Sequence, residues 1–498
     1  MPLPRHLRSR ALPVLLLAAT ALGGCAPALG ARTAHPSPNA AAIDAIFADT
    51  AFAHAEWGVM VRSLDSGATL YRRNAERAFV PASNMKIITG ATALEVLGPE
   101  YRYRTELLAA GSVQGGVLRG TLVVRGSGDP SIAARFGGDA RATFRAWADS
   151  LKAKGVRRIE GGIVGIDTVF TDPPLGRGWP WDDLDAYYSA EVSGLEYNDG
   201  SLDIRVFPGK TVGSPAIVVL DPPTSYVQLA NRVTTAPAGR PARLNVTRDP
   251  VGTGVTIEGE VPVDATRVDE SVAVRGVSAF FVTALRETLR EAGIAVEGPA
   301  MTFEEWPQPV PLTRMALLFT HRSPPLSEIL PKFLKPSQNQ TGEILLRTLG
   351  REMRGKGTAA AGAAVVDSLL RARGVQTAQQ LQMADGSGLS RYDLVTPEVL
   401  IGVLTFMTRS PNWNVWYPAL PVAGEDGTLA SRFRGTPAAG NVHAKTGTLN
   451  GVRSLSGYLT TAGGERLVFS TMVNNHMRSA RDADRVIDSM VLRLVDLK

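Results

Sequence analysis

The sequence predicts an α/β domain interrupted by a long insertion, and three observations carry that expectation. A β-hairpin and an apolar helix open the regular part of the chain. A run of helices, three strands and a last helix close it. Residues from about 105 to 305, between these parts, change character twice. The length of 498 residues leaves room for about three domains. With 44% apolar and 20% charged residues and a mean hydropathy of zero, a wholly disordered chain and a polytopic membrane protein are both excluded.

The first residues read as an address. Residues 1–10 are basic and 12–21 form an apolar run too short to cross a bilayer as a helix, so 1–24 is read as a signal peptide. The run ends in Leu22-Gly23-Gly24-Cys25, and the sole cysteine stands where a bacterial lipoprotein carries its lipid. An ordinary secretory signal with an incidental cysteine is the alternative, but an exported chain gains little from one unpaired thiol. Residues 25–42, rich in Ala, Pro and Ser, then form a tether from a lipid-anchored Cys25, the only expected membrane contact. Ala26 lacks the acidic side chain associated with inner-membrane retention, which favours an outer-membrane anchor in a cell with two membranes.

Residues 57–64 and 68–71 flank Asp65-Ser66-Gly67 as a hairpin. Residues 85–98 are a helix apolar enough to be buried, with Gly98 as its stop. Strand 120–126, amphipathic helix 143–155 and strand 162–166 make a βαβ-like unit. From 201 to 275 short strands broken by Gly, Pro, Asn and Asp read as a small β domain, followed by a helix over 278–293. Helices are predicted over 326–334, 340–353, 359–373 and 397–408, strands over 442–446, 451–459 and 465–473, and a helix over 479–497. The expected division is 43–105 with 306–498 for the interrupted domain, 106–200 with 268–305 for an inserted α/β domain, and 201–267 for an inserted β-rich domain.

Composition narrows the partners. Three of the 53 basic residues, Arg5, Arg8 and Arg10, fall in the first ten, so elsewhere the balance with 47 acidic residues is nearly even. No dense Lys/Arg run with interleaved aromatics follows, and nucleic acid is not an expected partner. One cysteine, and six histidines without a His-x-x-x-His pair, give no reason to expect a metal or other cofactor.

Three short motifs occur in order: Ser83-Asn84-Met85-Lys86, Ser337-Gln338-Asn339 and Lys445-Thr446-Gly447. On a helix, Ser83 and Lys86 share a face, and a buried lysine with a lowered pKa can act as base for a serine hydroxyl. Ser83 near a helix N-terminus would have developing negative charge stabilised. Ser337 offers a second hydroxyl to relay a proton, and the Asn339 amide can hold the substrate backbone and the lysine. In a β pattern, Lys445 and Thr446 offer a cation and a hydroxyl to a carboxylate. Gly447 would let a substrate approach the strand, and the Thr448 N–H with that of Ser83 could form an oxyanion hole. Ser-x-Asn recurs at Ser37-Pro38-Asn39 and Ser410-Pro411-Asn412, but only Ser337 opens a well-patterned helix. His443 shares a strand face with Lys445, and a structural or modulatory role is expected of it. Residues 385–388 are expected to form a tight loop near the site, with Asp385 and Ser387 as turn formers.

With this triple, the sequence resembles the penicillin-binding proteins and serine β-lactamases. It is more closely similar to the class C low-molecular-mass penicillin-binding proteins, the D-alanyl-D-alanine carboxypeptidase/endopeptidase group of peptidase family S13. The long interval from Ser83 to Ser337 points there, because single-domain β-lactamases have a much shorter one. Supporting stretches are Phe79-Val80-Pro81-Ala82, Gly126-Ser127-Gly128-Asp129-Pro130, Asp385-Gly386-Ser387-Gly388-Leu389-Ser390-Arg391 and Ala444 to Leu449, and the resemblance runs from about residue 45 to the end.

The resemblance implies a transpeptidase-like catalytic domain, an antiparallel sheet with helices, interrupted by one α/β and one β-rich domain. It implies that Ser83 is acylated by the penultimate D-Ala of a peptidoglycan stem peptide or by a β-lactam, and that water then releases the product in the periplasm. Lys86 would be the base, Ser337 the proton relay, Asn339 the group orienting substrate, and Lys445 with Thr446 the carboxylate site. No dedicated deacylating glutamate matches by motif, which leaves Lys86 and Ser337 to assist that step. In such proteins an inserted segment lies over the site and reads the stem side chain. Trp179-Pro180-Trp181-Asp182-Asp183 and Tyr187 match it, with Leu449 and Asn450 beyond the strand motif. Asp182 would pair with the free amine of a diaminopimelate residue; the alternative is that these aromatics pack a domain interface. Gln338 departs from the pattern, since relatives often carry an acid there. Two other readings remain: a serine β-lactamase, disfavoured by the insertion, and a non-catalytic cell-wall-binding lipoprotein, disfavoured by the intact motifs. Carboxypeptidase and endopeptidase are not separable, because both cleave at a D-Ala carbonyl.

Overall fold

The computed structural model describes residues 38–498. The expected signal peptide and Cys25 lie outside the described residues. Helix Pro38–Ile46 starts inside the stretch read as a tether. Just past that stretch, Ile43 and Phe47 bury in one cluster with Trp57 and Tyr71, so the chain is docked from here on.

The hairpin and the three closing strands form one antiparallel five-stranded sheet. Its order is His443–Leu449, Val452–Thr460, Arg466–Asn474, Glu56–Ser63, Thr69–Arg73. Strand Glu56–Ser63 is buried on both faces. Trp57, Val59 and Val61 face one core with helices Pro38–Ile46 and Ala480–Val495, and Met60 faces another. That second core holds helix Met85–Leu97, whose residues from Met85 to Leu94 are all buried, as its apolar circumference predicts. Gly98, with φ of 82°, ends it. Helices Leu326–Leu334, Asn339–Arg354, Ala359–Ala372 and Pro397–Met407 pack around it.

The inserted part begins with strands Arg104–Gln114 and Val117–Arg125, paired antiparallel. The second of these pairs in parallel with Ile163–Ile166 after helix Ala142–Ala153, which is the expected βαβ crossover. Two three-stranded sheets follow. Strand Val268–Ala273 pairs with Ser201–Phe207, which places it in the β-rich part, in line with the strand pattern over 201–275 and not with the division drawn at 267. The larger difference is strand Ala316–Arg322, in a region where helices were expected. It lies antiparallel beside Arg104–Gln114, so the chain leaves the insertion along the strand by which it entered, and returns after Arg322 instead of at 306. As a half-exposed edge strand it carries no clean alternation, which hid it from the pattern. Among the described residues no helix is long and apolar enough to cross a membrane.

Candidate active site

A 3-10 turn, Ala82–Asn84, leads Ser83 into the buried helix, and Ala82 stands at φ of 48°, unusual for a residue with a Cβ. One turn on, Lys86 is fully buried. Its Nζ lies 2.8 Å from Ser83 Oγ, 2.6 Å from Asn339 Oδ1 and 2.7 Å from the Ser387 carbonyl oxygen. Burial pulls the Lys86 amine down to about 7, although the nearby carboxylates of Asp385, Glu343 and Asp393 act the other way.

Ser337 does not open the following helix, as expected, but stands ahead of it with φ of 66°. Gln338 caps that helix instead, its side chain accepting the Gln340 N–H at 2.7 Å. The Ser337 hydroxyl lies 2.8 Å from Lys445 Nζ. Lys445 is buried too, and burial together with the charge of Lys86 holds it well below the usual lysine range. Asn339 faces two ways: Oδ1 accepts from Lys86, and Nδ2 donates to the Tyr188 carbonyl at 2.8 Å.

Strand His443–Leu449 is the outer strand of the five-stranded sheet, so beyond the His443 bridge to Val422 it presents a strand edge to the cleft. Thr446 Oγ1 bonds Thr428 Oγ1 at 2.7 Å. A Cβ on Gly447 would fall 2.1 Å from Ser454 Oγ and 2.7 Å from the Pro81 carbonyl oxygen. The close approach at Gly447 is therefore that of the Ser83 turn, where a substrate was expected. Asn84 and Ser454 complete this clamp with a side-chain hydrogen bond, and Ser454 donates to the Pro81 carbonyl at 2.7 Å.

The cleft measures about 860 Å³ and brings together Ser83, Ser337, Asn339, Thr446, Gly447 and Thr448. Leu449, Asn450, Asp182 and Tyr187 line it as well. Lys86 and Lys445 lie behind the wall. Trp179 does not line it; its indole N–H donates to Asp385 at 2.9 Å, so it packs behind the loop where a substrate-reading position was expected. His443 also stays out of the cleft, its ring stacked 3.9 Å from that of Tyr417, and burial lowers its pKa.

Four contributors escaped sequence reasoning. Asp385 does turn its own loop, accepting the N–H groups of Ser387, Gly388 and Ser390, but it also sits beside Lys86. The Ser387 carbonyl is a backbone ligand, which no motif marks. Buried Glu343 accepts the N–H groups of Gly386 and Ser387 and pairs with Arg347 at 2.9 Å; its spacing of four from Arg347 reads as an ordinary surface pair. Thr428 carries no sequence signal. Among the described residues no group of three His, Cys, Asp or Glu side chains is arranged to hold a metal.

A serine hydroxyl against a buried lysine amine, with a second Ser–Lys pair and a strand edge at the same cleft, defines a serine acyl-transfer enzyme. The chain belongs to the D-Ala-D-Ala carboxypeptidase 3 (S13) family, which it matches over residues 39–497. It is 37% identical over 508 residues to a D-alanyl-D-alanine carboxypeptidase of Actinomadura sp. strain R39, an alignment that covers 98% of this chain and 90% of the relative. It is 27% identical to D-alanyl-D-alanine carboxypeptidase DacB of Haemophilus influenzae, over 84% of this chain and 85% of that one. The crystal structure of penicillin binding protein 4 from H. influenzae superposes with a TM-score of 0.76 at 26% identity, covering 89% of this chain and 97% of that one.

Proposed function

We propose that this protein is a serine DD-peptidase that cleaves the D-Ala carbonyl of peptidoglycan stem peptides through an acyl-enzyme on Ser83 and is inhibited by β-lactams. The observation that carries the reading is the Ser83 Oγ to Lys86 Nζ contact of 2.8 Å at a cleft bordered by a strand edge. The neutral Lys86 amine takes the Ser83 proton as Oγ bonds to the carbonyl carbon. The C–N bond to the leaving D-Ala breaks, and that nitrogen receives, through Ser337, the proton that Lys86 took from Ser83. Water then adds to the ester carbonyl and gives a proton to Lys86; the C–Oγ bond breaks, Ser83 Oγ takes that proton back, and the shortened peptide leaves as the acid.

Thr446 at the cleft wall holds the terminal carboxylate, with Lys445 behind it and reaching the cleft through the Ser337 hydroxyl, and Asn339 orients both substrate and Lys86. The N–H groups of Ser83 and Thr448 take the developing oxyanion. Asp182 and Tyr187, with Leu449 and Asn450, read the stem side chain, the Asp182 carboxylate pairing with a diaminopimelate amine. Endopeptidase cleavage uses the same acyl-enzyme, since only the leaving amine differs. Export under the signal over 1–24, with a lipid on Cys25 and an outer-membrane anchor facing the periplasm, is supported by the basic start, apolar run and small residues before the cysteine.

The test is a diaminopimelate-containing stem pentapeptide ending in D-Ala-D-Ala. Release of free D-Ala by the wild type and none by Ser83→Ala is expected. Equal release by both proteins, or by neither, rejects the reading.

A further inference from the structure

We propose that Asp385 is a positioning residue for acylation, through which the inserted segment 177–188 sets the placement of Lys86. The inference rests on the functional reading above and deepens it. Asp385 is fully buried and its two oxygens have separate tasks. Oδ1 accepts the N–H groups of Ser387 at 3.2 Å and Gly388 at 2.7 Å, which fixes the carbonyl that Lys86 Nζ reaches at 2.7 Å. Oδ2 accepts the Ser390 N–H at 2.7 Å and the Trp179 indole N–H at 2.9 Å.

Segment 177–188 touches the same assembly at two more points. The Arg177 carbonyl accepts the Ser390 hydroxyl at 2.7 Å, and the Tyr188 carbonyl accepts Asn339 Nδ2 at 2.8 Å. Two of the three groups around the Lys86 nitrogen, the Ser387 carbonyl and Asn339 Oδ1, are thus held from behind by one inserted segment. That same segment lines the cleft with Asp182 and Tyr187. Occupancy of the outer cleft and readiness of the base are then one event, and the Trp179–Asp385 bond is its link.

A β-lactam without an acyl side chain separates this from a simple subsite wall, because it offers that wall no side chain to hold. The probe is 6-aminopenicillanic acid, with acylation of Ser83 followed by mass. Trp179→Phe keeps the ring and removes only the donor; Asp385→Asn keeps the shape and removes the charge. Trp179→Phe is expected to melt with the wild type, Asp385→Asn lower because its amide nitrogen faces N–H donors, and both to acylate roughly 10- to 100-fold more slowly, the loss expected of a hydrogen bond to a charged group.

The pH profile adds a readout that a purely structural role would not move. The groups facing Lys86 are Asp385, Glu343 with its partner Arg347, Asp393, and the amine of Lys445. Removing the Asp385 charge takes away a partner of protonated Lys86, so the rising limb of the rate–pH curve moves to lower pH in Asp385→Asn and stays in place in Trp179→Phe. Acylation of Trp179→Phe at the wild-type rate overturns the inference and leaves the functional reading standing. If Asp385→Asn does not fold, Trp179→Phe decides alone. A wild type that no β-lactam acylates overturns both.

Discussion

Lys86→Met is expected to slow acylation of Ser83 by roughly a thousandfold or more, the loss of a positioned general base. Methionine fills the same buried space without an amine, so the fold survives. In the wild type the rate should rise with pH through about 7 and then level, because the buried amine must be neutral to take the serine proton. The variant should show no such limb. Its stability should hold or increase at neutral pH, and the sign follows from proton linkage. An unfolded lysine stays protonated up to its ordinary range, whereas the folded one sheds its proton near 7. Between those values the unfolded state binds more protons and stability rises with pH, a dependence that the methionine removes. Rate–pH profiles and urea unfolding at two pH values check both statements. A variant that acylates at a tenth of the wild-type rate would remove Lys86 from the role of base.

The second large effect is on stability. Arg347→Met leaves Glu343 buried without its partner, and breaking a buried pair costs about 3–5 kcal/mol. Glu343 is fully buried, and burial with the facing Asp385 already pushes its carboxyl up while Arg347 holds it down. The pair also ties the catalytic part to the insertion, since Arg347 reaches Asp172 at 3.8 Å. Adding Glu343→Gln should recover part of the loss, because the amide oxygen still accepts the Gly386 and Ser387 N–H groups without a stranded charge. Urea unfolding of both variants measures this, and a loss below 1 kcal/mol for Arg347→Met would place the pair among the weak surface kind.

The catalytic unit was legible because its signals are local. Helix Met85–Leu97 is largely apolar, the hairpin carries Asp65-Ser66-Gly67, and the three motifs stand in order with distinct residue types. What stayed hidden acts through the backbone or between distant segments. The edge strand Ala316–Arg322 exists because it lies beside Arg104–Gln114, a pairing that no local period encodes. The Ser387 carbonyl binds Lys86 through an atom that every residue owns. Trp179 was matched to a site segment by resemblance, and only the fold shows its indole turned to Asp385. Gly447 was read as room for a substrate against the strand, yet its bare Cα is required by the Pro81 turn, which the chain places there from more than 300 residues away.

The decisive measurement is the intact mass of residues 26–498 after incubation with benzylpenicillin, run beside Ser83→Ala. A stable increase by the mass of one penicillin on the wild type alone, mapped to Ser83, is the expected result. An adduct on both proteins, or on another residue, would contradict the assignment of Ser83 as the acylated group. Rapid loss of penicillin with no adduct would point to a β-lactamase instead, and no adduct with no loss would leave a protein that binds the cell wall without cleaving it.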